Sequence, residues 1–312
     1  MTEAEKIARI LLAEPKWRVV CHVKPDGDTL GCGSALVSAG KKLGRDVIWG
    51  GVDPLPPLYA FLPHSGEYRT DASASDGGRC VIAVDVSARD RGVPGLEPRI
   101  SIDHHESNER FGAEVNWIDP QAAATGEMIY EVILALGCAI DTDIAEALYV
   151  SIATDCGWVR FSNTTADTMR VAAELIRAGA VPVKMDERLH FNDTPAKLRL
   201  WGRCMARVET VGARAALSWI TRDDFRETGA LESDTEGLIN MLTHIKGADV
   251  TVMVSEVKDC LRCSVRSRGP VSALTPEAEA ALVGTRRNGA GAFAGLIGTR
   301  PAARSICPSK RG

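Results

Sequence analysis

The residues whose types and spacing suggest chemistry begin with His22, Asp26 and Asp28, which fall within seven residues of one another. Pro25 and Gly27 shape the loop between them, so that all three side chains can turn toward a common point. An imidazole together with carboxylates is a ligand set for hard or borderline divalent cations such as manganese. An Asp-Gly pair is also common in ordinary turns, so this motif alone leaves both interpretations open.

A second motif, Asp103-His104-His105, places two adjacent histidines after an acid. The chain has six histidines, and three of them lie in these two motifs. A polar surface run is the alternative interpretation. Two further acids end structured segments: Asp85 closes an apolar run, and Asp155 closes a helical pattern. Because burying an unpaired carboxylate costs several kcal/mol, Asp85 needs a partner or a metal ion.

The elements that position these motifs are predicted to form a parallel sheet. Four segments read as strands, most of them near-continuous apolar runs: residues 18–22, 46–52, 80–85 and 99–103. Four others have the apolar spacing of helices: residues 30–43, 124–137, 143–154 and 165–178. Such strands alternating with helices indicate an α/β fold with helices on both faces of the sheet. Functional loops then lie beyond the carboxyl ends of the strands, where His22, Asp85 and Asp103 stand.

The second half of the chain predicts a smaller α/β unit. Strands are predicted over residues 213–220, 249–257 and 260–266. A helix is predicted over residues 233–245, with Ser233 and Glu236 as its capping box. We therefore expect three parts: a catalytic domain over residues 1–190, a helical linker over 191–207, and a substrate-binding domain over 208–312.

The composition is that of an ordinary globular protein. The chain has 312 residues, of which 45% are hydrophobic and 25% charged, and its formal net charge is -4. This acidic balance argues against a protein that coats long nucleic acid by bulk charge. No stretch has the roughly 18 apolar residues that a membrane span needs, and the amino terminus lacks a secretory pattern. The nine cysteines are scattered along the chain, which predicts reduced thiols rather than disulfides. We therefore expect a cytoplasmic protein.

Taken together and in this order, the four clusters resemble those of the DHH phosphoesterase family, over roughly the first 190 residues. The resemblance is nearest to the bifunctional oligoribonucleases and adenosine 3',5'-bisphosphate (pAp) phosphatases, often called nanoRNases. Three further stretches support it: Asn108 with Phe111-Gly112, residues 122–127, and residues 160–164.

The resemblance implies a role for each residue. His22 and Asp26 would bind one metal ion, the second ion would be bound by Asp28, His104 and Asp155, and Asp85 would bridge the two. The ions would be manganese, with magnesium as the alternative. His105 would face the scissile phosphate, as a substrate contact or proton donor. Asp103 would orient a neighbouring histidine and fix its tautomer.

The family usually carries a carboxyl-terminal substrate-binding domain of the DHHA1 type. Arg266, Ser267 and Arg268 resemble the turn that presents a basic residue to the substrate; solvated strand ends are the alternative. The family then has a glycine run followed by a histidine. In that place this sequence has residues 284–295, and no histidine follows His244. Since no acid follows Glu279 either, we hypothesise an altered reading frame or a degenerate terminus, which affects substrate binding rather than metal binding.

The resemblance implies hydrolysis of pAp and of RNAs a few nucleotides long. A cyclic or linear dinucleotide phosphodiesterase is the alternative of the same class. A nucleotide-binding protein that has lost turnover is the alternative of another class. The expected partners are small nucleotides and very short RNA, and the family suggests a homodimer. Long nucleic acid and membranes are not expected as partners.

Overall fold

The computed structural model describes residues 1–71, 73, 75–191, 193–212, 214–257 and 260–267. The chain divides into two compact units, Met1–Asn192 and Asp193–Gly312. No helix in these ranges is both long enough and apolar enough to cross a membrane.

The first unit is a parallel sheet flanked by helices, as predicted, although it has six strands where four were predicted. Its elements, in chain order, are α1 (Glu3–Ala13), β1 (Lys16–Val20), α2 (Gly27–Lys42), β2 (Asp46–Gly51), β3 (Arg69–Thr70), β4 (Cys80–Val84), β5 (Ile100–Asp103), β6 (Val115–Ile118), α3 (Thr125–Ala135), α4 (Thr142–Asp155), α5 (Ala166–Arg177) and α6 (Pro182–His190). The strand order is β3-β2-β1-β4-β5-β6, and every pairing is parallel. The predicted α/β class is therefore confirmed.

The strand order reverses direction beside β1. The chain runs outward from β1 to β3 on one side, then returns to place β4 against the other side of β1, with Val20 opposite Ala83. All residues of β4 are buried, because both faces of the sheet are covered. In open parallel sheets, ligands bind where the strand order reverses, beyond the carboxyl ends. The loops after β1 and β4 meet at that point.

Helix α2 begins three residues earlier than predicted. Its N-cap is Asp26, whose carboxylate accepts hydrogen bonds from the backbone N–H groups of Asp28 and Thr29. Asp26 thus satisfies two of the amide groups that a helix start leaves without partners. The cap also ties the His22–Asp28 loop to the first turn of the helix.

The second unit holds a four-stranded mixed sheet. Its elements are α7 (Pro195–Ala206), β7 (Glu209–Val211), β8 (Ala215–Ile220), α8 (Arg222–Thr228), α9 (Leu238–Leu242), β9 (Val250–Val257) and β10 (Cys260–Ser267). The order is β10-β9-β8-β7; β8 and β9 are parallel and the other two pairs antiparallel. Leu200 and Cys204 of α7 lie in the core of this unit with Ile220 and Leu238.

The predicted helix over residues 233–245 is wrong in extent. A 3-10 turn spans Glu232–Thr235, and the α-helix that follows has only five residues, Leu238–Leu242. Gly237 separates them, with a φ of 81° that helical backbone does not adopt. Ser233 and Glu236 therefore belong to the 3-10 turn, where the N–H of Glu236 donates to the carbonyl of Ser233.

Candidate metal centre

The sequence motifs converge at the carboxyl ends of β1, β4 and β5, with further ligands from α2 and α4. His22 lies just beyond β1, Asp85 directly after β4, and His104 directly after β5. Asp28 lies in the first turn of α2, and Asp155 is the last residue of α4. Residues more than a hundred positions apart thus form one cluster.

One group of ligand atoms consists of His22, Asp26 and Asp85, whose ligand atoms all lie within 4.8 Å of one another. The Nε2 atom of His22 lies 3.4 Å from Oδ1 of Asp26 and 3.3 Å from Oδ2 of Asp85. Its Nδ1 atom lies 2.8 Å from the carbonyl oxygen of Val23. Because a carbonyl only accepts, Nδ1 carries a proton, and Nε2 is the nitrogen that can bind a metal.

A second group consists of Asp28, His104 and Asp155, again within 4.8 Å. The Nε2 atom of His104 lies 3.2 Å from Oδ2 of Asp155 and 3.8 Å from Oδ2 of Asp28. Its Nδ1 atom lies 3.2 Å from the carbonyl oxygen of Ala122. The two groups therefore use the same arrangement, in which a backbone carbonyl fixes the histidine tautomer.

Asp85 belongs to the first group and also approaches His104 of the second. Its side chain is 2% exposed, and while Oδ2 faces His22, Oδ1 lies 3.8 Å from Nε2 of His104. The backbone of Asp85 is left-handed, with a φ of 60°, although it is not a glycine. That conformation costs roughly 1–2 kcal/mol, and such strain is typical of functional sites. The backbone N–H of Asp85 donates to the carbonyl of Ile102, and this hydrogen bond holds Asp85 in place.

Asp28 is anchored by several donors. Its Oδ2 atom accepts from the N–H of Thr125 at 2.8 Å, and Oδ1 accepts from the N–H of Gly126 at 3.1 Å and from the hydroxyl of Ser151. A Cβ atom on Gly126 would lie 2.0 Å from the Ser151 hydroxyl, so only glycine allows this approach. Sequence reasoning assigned no role to Ser151, which reads as an ordinary position inside a helix.

His105 and Asp103 form a hydrogen-bonded pair beside the two groups. The Nδ1 atom of His105 lies 2.7 Å from Oδ1 of Asp103 and 3.4 Å from Oδ1 of Asp85. These bonds raise the pKa of His105 to about 10, although burial opposes them. Asn108 donates to Oδ2 of Asp103 at 2.7 Å and to the carbonyl of Val86. The side chain of His105 is 46% exposed, and its hydrogen bond to Asp103 fixes the orientation of the ring.

Several buried carboxylates lie close together in the cluster, so their negative charge would be stabilised by bound cations. Burial, and then the charges of Asp85 and Asp155, raise the pKa of Asp28 well above its usual value. Burial raises the pKa of Asp155 to about 6, with further contributions from Asp85 and Asp26 and an opposing one from His104. Burial lowers the pKa of His22, but hydrogen bonds to Asp26 and Asp85 outweigh it and raise that pKa to about 10. Without metal, protons thus offset the negative charge. Divalent cations fit the same position, since the donors are imidazole nitrogens and carboxylate oxygens.

The residues predicted to bind substrate are only partly described. Arg266 and Ser267 end β10 and are exposed, and the Arg266 guanidinium donates to the carbonyl of Val265 at 3.1 Å. Arg268 and residues 284–295 lie outside the described residues. The predicted contacts of these residues with substrate stay predictions.

Several known proteins are similar to this chain. The family described as DHH family, N-terminal domain, matches residues 16–152. A Thermus thermophilus protein named bifunctional oligoribonuclease and PAP phosphatase NrnA is 34% identical over 270 residues, which cover 86% of this chain and 81% of that protein. The Bacillus subtilis protein of the same name is 28% identical over 257 residues, 80% of each chain.

A solved structure shares the fold. An exopolyphosphatase-related protein from Bacteroides fragilis aligns with a TM-score of 0.79 and 21% identity, covering 89% of this chain and 86% of its own. The ligand groups at the carboxyl ends of the sheet fall within or just after the segment that the family matches. With the 34% identity to the Thermus protein over most of both chains, this shows that the chain belongs to the DHH family.

Proposed function

We propose that the protein is a phosphoesterase that depends on two divalent metal ions and hydrolyses pAp and RNAs of a few nucleotides. The observation that carries the proposal is the position of Asp85, whose Oδ2 lies 3.3 Å from Nε2 of His22 and whose Oδ1 lies 3.8 Å from Nε2 of His104. The names of the Thermus and Bacillus relatives support the substrates.

We assign His22 and Asp26 to one ion and Asp28, His104 and Asp155 to the other, with Asp85 shared. Manganese suits this mixture of imidazole and carboxylate donors, and magnesium is the alternative. Paired divalent ions shield phosphate charge and acidify bound water, which is the chemistry such a site supplies. The protein contributes the fixed tautomers of His22 and His104 and the anchored carboxylate of Asp28.

His105 is the proposed proton donor to the leaving oxygen. Its Nδ1 atom is hydrogen-bonded to Asp103, so Nε2 is the nitrogen left for a substrate. Asp103 favours the charged imidazolium by its own negative charge, and Asn108 holds Asp103 in turn. A protonated imidazole can give its proton to an alcohol oxygen as the phosphorus–oxygen bond breaks. Asp103 acts by orienting this ring.

The remaining assignments concern substrate and organisation. We propose residues 1–190 as the catalytic domain, 191–207 as a linker and 208–312 as a substrate-binding domain. Arg266, Ser267 and Arg268 are the proposed contacts for a terminal phosphate, since arginine binds phosphate in a bidentate manner. Small nucleotides and short RNA suit the net charge of -4 better than long nucleic acid does. We further propose a cytoplasmic homodimer.

The test is an assay with manganese and three substrates in parallel: pAp, a short oligoribonucleotide and the linear dinucleotide pApA. Release of phosphate from pAp and of mononucleotides from the RNA supports the proposal. Turnover of pApA, with pAp and RNA untouched, would point to a dinucleotide phosphodiesterase. Metal binding without turnover of any of the three would point to a nucleotide-binding protein.

A further inference from the structure

The turn before α3, together with the first two residues of that helix (residues 122–126), contacts two of the three ligands in the second group directly. Asp28 accepts hydrogen bonds from the N–H groups of Thr125 and Gly126, at 2.8 and 3.1 Å. The Nδ1 atom of His104 lies 3.2 Å from the carbonyl oxygen of Ala122. The turn thus fixes these two ligands relative to each other.

Asn163 connects the third ligand to the same turn. Its side-chain amide donates to the carbonyl of Ala123 at 3.0 Å and to the carbonyl of Asp155 at 3.2 Å. Asp155 is the last residue of α4, so its carbonyl is one of the four that a helix end leaves without a partner in the helix. Gly157, Trp158 and Val159, which follow, all have left-handed backbone, so the chain turns sharply away. Asn163 therefore supplies a partner for the Asp155 carbonyl, which the helix leaves without one.

The first group is held by other contacts. Nδ1 of His22 faces the carbonyl of Val23, and Asp26 caps α2. The shared ligand Asp85 meets the turn through the Thr125 hydroxyl, at 3.4 Å. That contact is longer than an ordinary hydroxyl–carboxylate hydrogen bond. Of the proposed ligands, the one that the Asn163 amide contacts is Asp155, which belongs to the second group, and the contact is with its backbone carbonyl.

We infer that Asn163 is a positioning residue for one of the two metal ions. Its amide holds Asp155 at a fixed distance from Asp28 and His104 through the turn at residues 122–126. Removing the amide lets Asp155 drift, which weakens the ion bound by the second group and leaves the other ion in place. The inference rests on the proposed function, since it presupposes two ions.

The experiment compares Asn163→Leu and Asn163→Ala with Asn116→Leu. Leucine keeps most of the volume of asparagine but cannot donate, and alanine covers the case in which leucine does not fit. Asn116, on β6, is the matched control, because its side chain also makes two backbone hydrogen bonds, both to Gly112. Manganese binding is titrated calorimetrically, the spin coupling of bound manganese is followed by electron paramagnetic resonance, and melting is measured with the metal chelated.

Wild type and Asn116→Leu should bind two ions and show a coupled manganese pair. In both Asn163 variants one ion should keep its affinity, the other should bind about 10–100-fold more weakly, and uncoupled manganese should appear. Two ions of unchanged affinity in the Asn163 variants would overturn the inference, and so would equal weakening of both ions. Wild type that bound fewer than two ions would instead refute the two-ion function, and the inference with it.

Discussion

The Nε2 atom of His22 lies 3.3 Å from Oδ2 of Asp85. The other oxygen of that carboxylate lies 3.8 Å from Nε2 of His104, so a single buried side chain faces both halves of the centre. It is held there by a left-handed backbone that costs free energy. The position of Asp85 leads directly to a first prediction.

Asp85→Ala should remove both ions together and lower kcat/KM by at least about 100–1,000-fold, because one side chain serves both groups. Metal content by elemental analysis and turnover of pAp are the measurements. Asp46→Ala is the matched control, since that aspartate is 54% exposed and pairs with Arg79 away from the ligand groups. Near-native turnover by Asp85→Ala would show that the shared-ligand assignment is wrong.

His105→Gln should lower kcat by about 100–10,000-fold while both ions remain bound, because it removes the proposed proton donor and no assigned ligand. Asp103→Asn should have a smaller effect in the same direction, since the ring stays but loses the partner that favours its charged form. Kinetics with metal content measured on the same samples separates the two roles. Loss of metal from His105→Gln would make that residue a ligand instead.

Manganese binding should release protons and tighten as the pH rises. In the metal-free protein the pKa of His22 is about 10 and that of Asp155 about 6, so His22 is protonated at neutral pH and must lose its proton to bind metal. We expect affinity to increase between about pH 6 and about pH 9. Calorimetry in buffers of different ionisation enthalpy measures the protons directly. Affinity that is flat over this range would contradict the assignment of His22.

Asp224 should stabilise the second unit at neutral pH and cease to do so in acid. Its side chain is 1% exposed; burial raises its pKa, but hydrogen bonds from Arg207 and Thr221 outweigh this and hold the pKa well below the usual value of 3.8. Stability from this group is therefore present above about pH 4 and lost as the pH falls further. Asp224→Asn should cost about 1–3 kcal/mol of unfolding free energy at neutral pH.

Chemical denaturation of the Asp224→Asn variant, followed at neutral and acid pH, tests this prediction. The matched control is Asp223→Asn, because Asp223 is 65% exposed and pairs with Arg226 on the surface. The difference between the two variants should shrink as the pH falls. Equal stability of the two variants at neutral pH would show that the buried ion pair contributes nothing.

The sheet and the ligand types could be predicted from sequence because short continuous stretches of residues indicate both. A buried strand in a parallel sheet is a continuous apolar run, and His22, Asp85 and Asp103 stand where such runs stop. Strands β3 and β6 were not predicted, since the two residues of β3 are exposed and the four of β6 are only half-buried, too few to show a pattern. The residue types thus indicated the chemistry, and the strand ends indicated where it lies.

The supporting contacts could not be predicted, because they join distant parts of the chain. The Ser151 hydroxyl reaches Asp28 across 123 positions, and the Thr125 N–H reaches it across 97. Nothing around Ser151 distinguishes it from any other small residue in a helix.

The wrong extent of the helix at residues 233–245 has a local cause, since Gly237 interrupts an otherwise helical pattern.

The reversal of strand order beside β1 has a consequence for how the centre matures. Each ligand group joins distant stretches of chain, since the first group needs β4 beside β1 and the second needs α2, β5 and α4 together. A nascent or truncated polypeptide that ends before Asp155 cannot complete the second group of ligands. Capture of a pair of ions would then be a late event, which would report that the chain has been synthesised at least as far as Asp155 and that the sheet has formed.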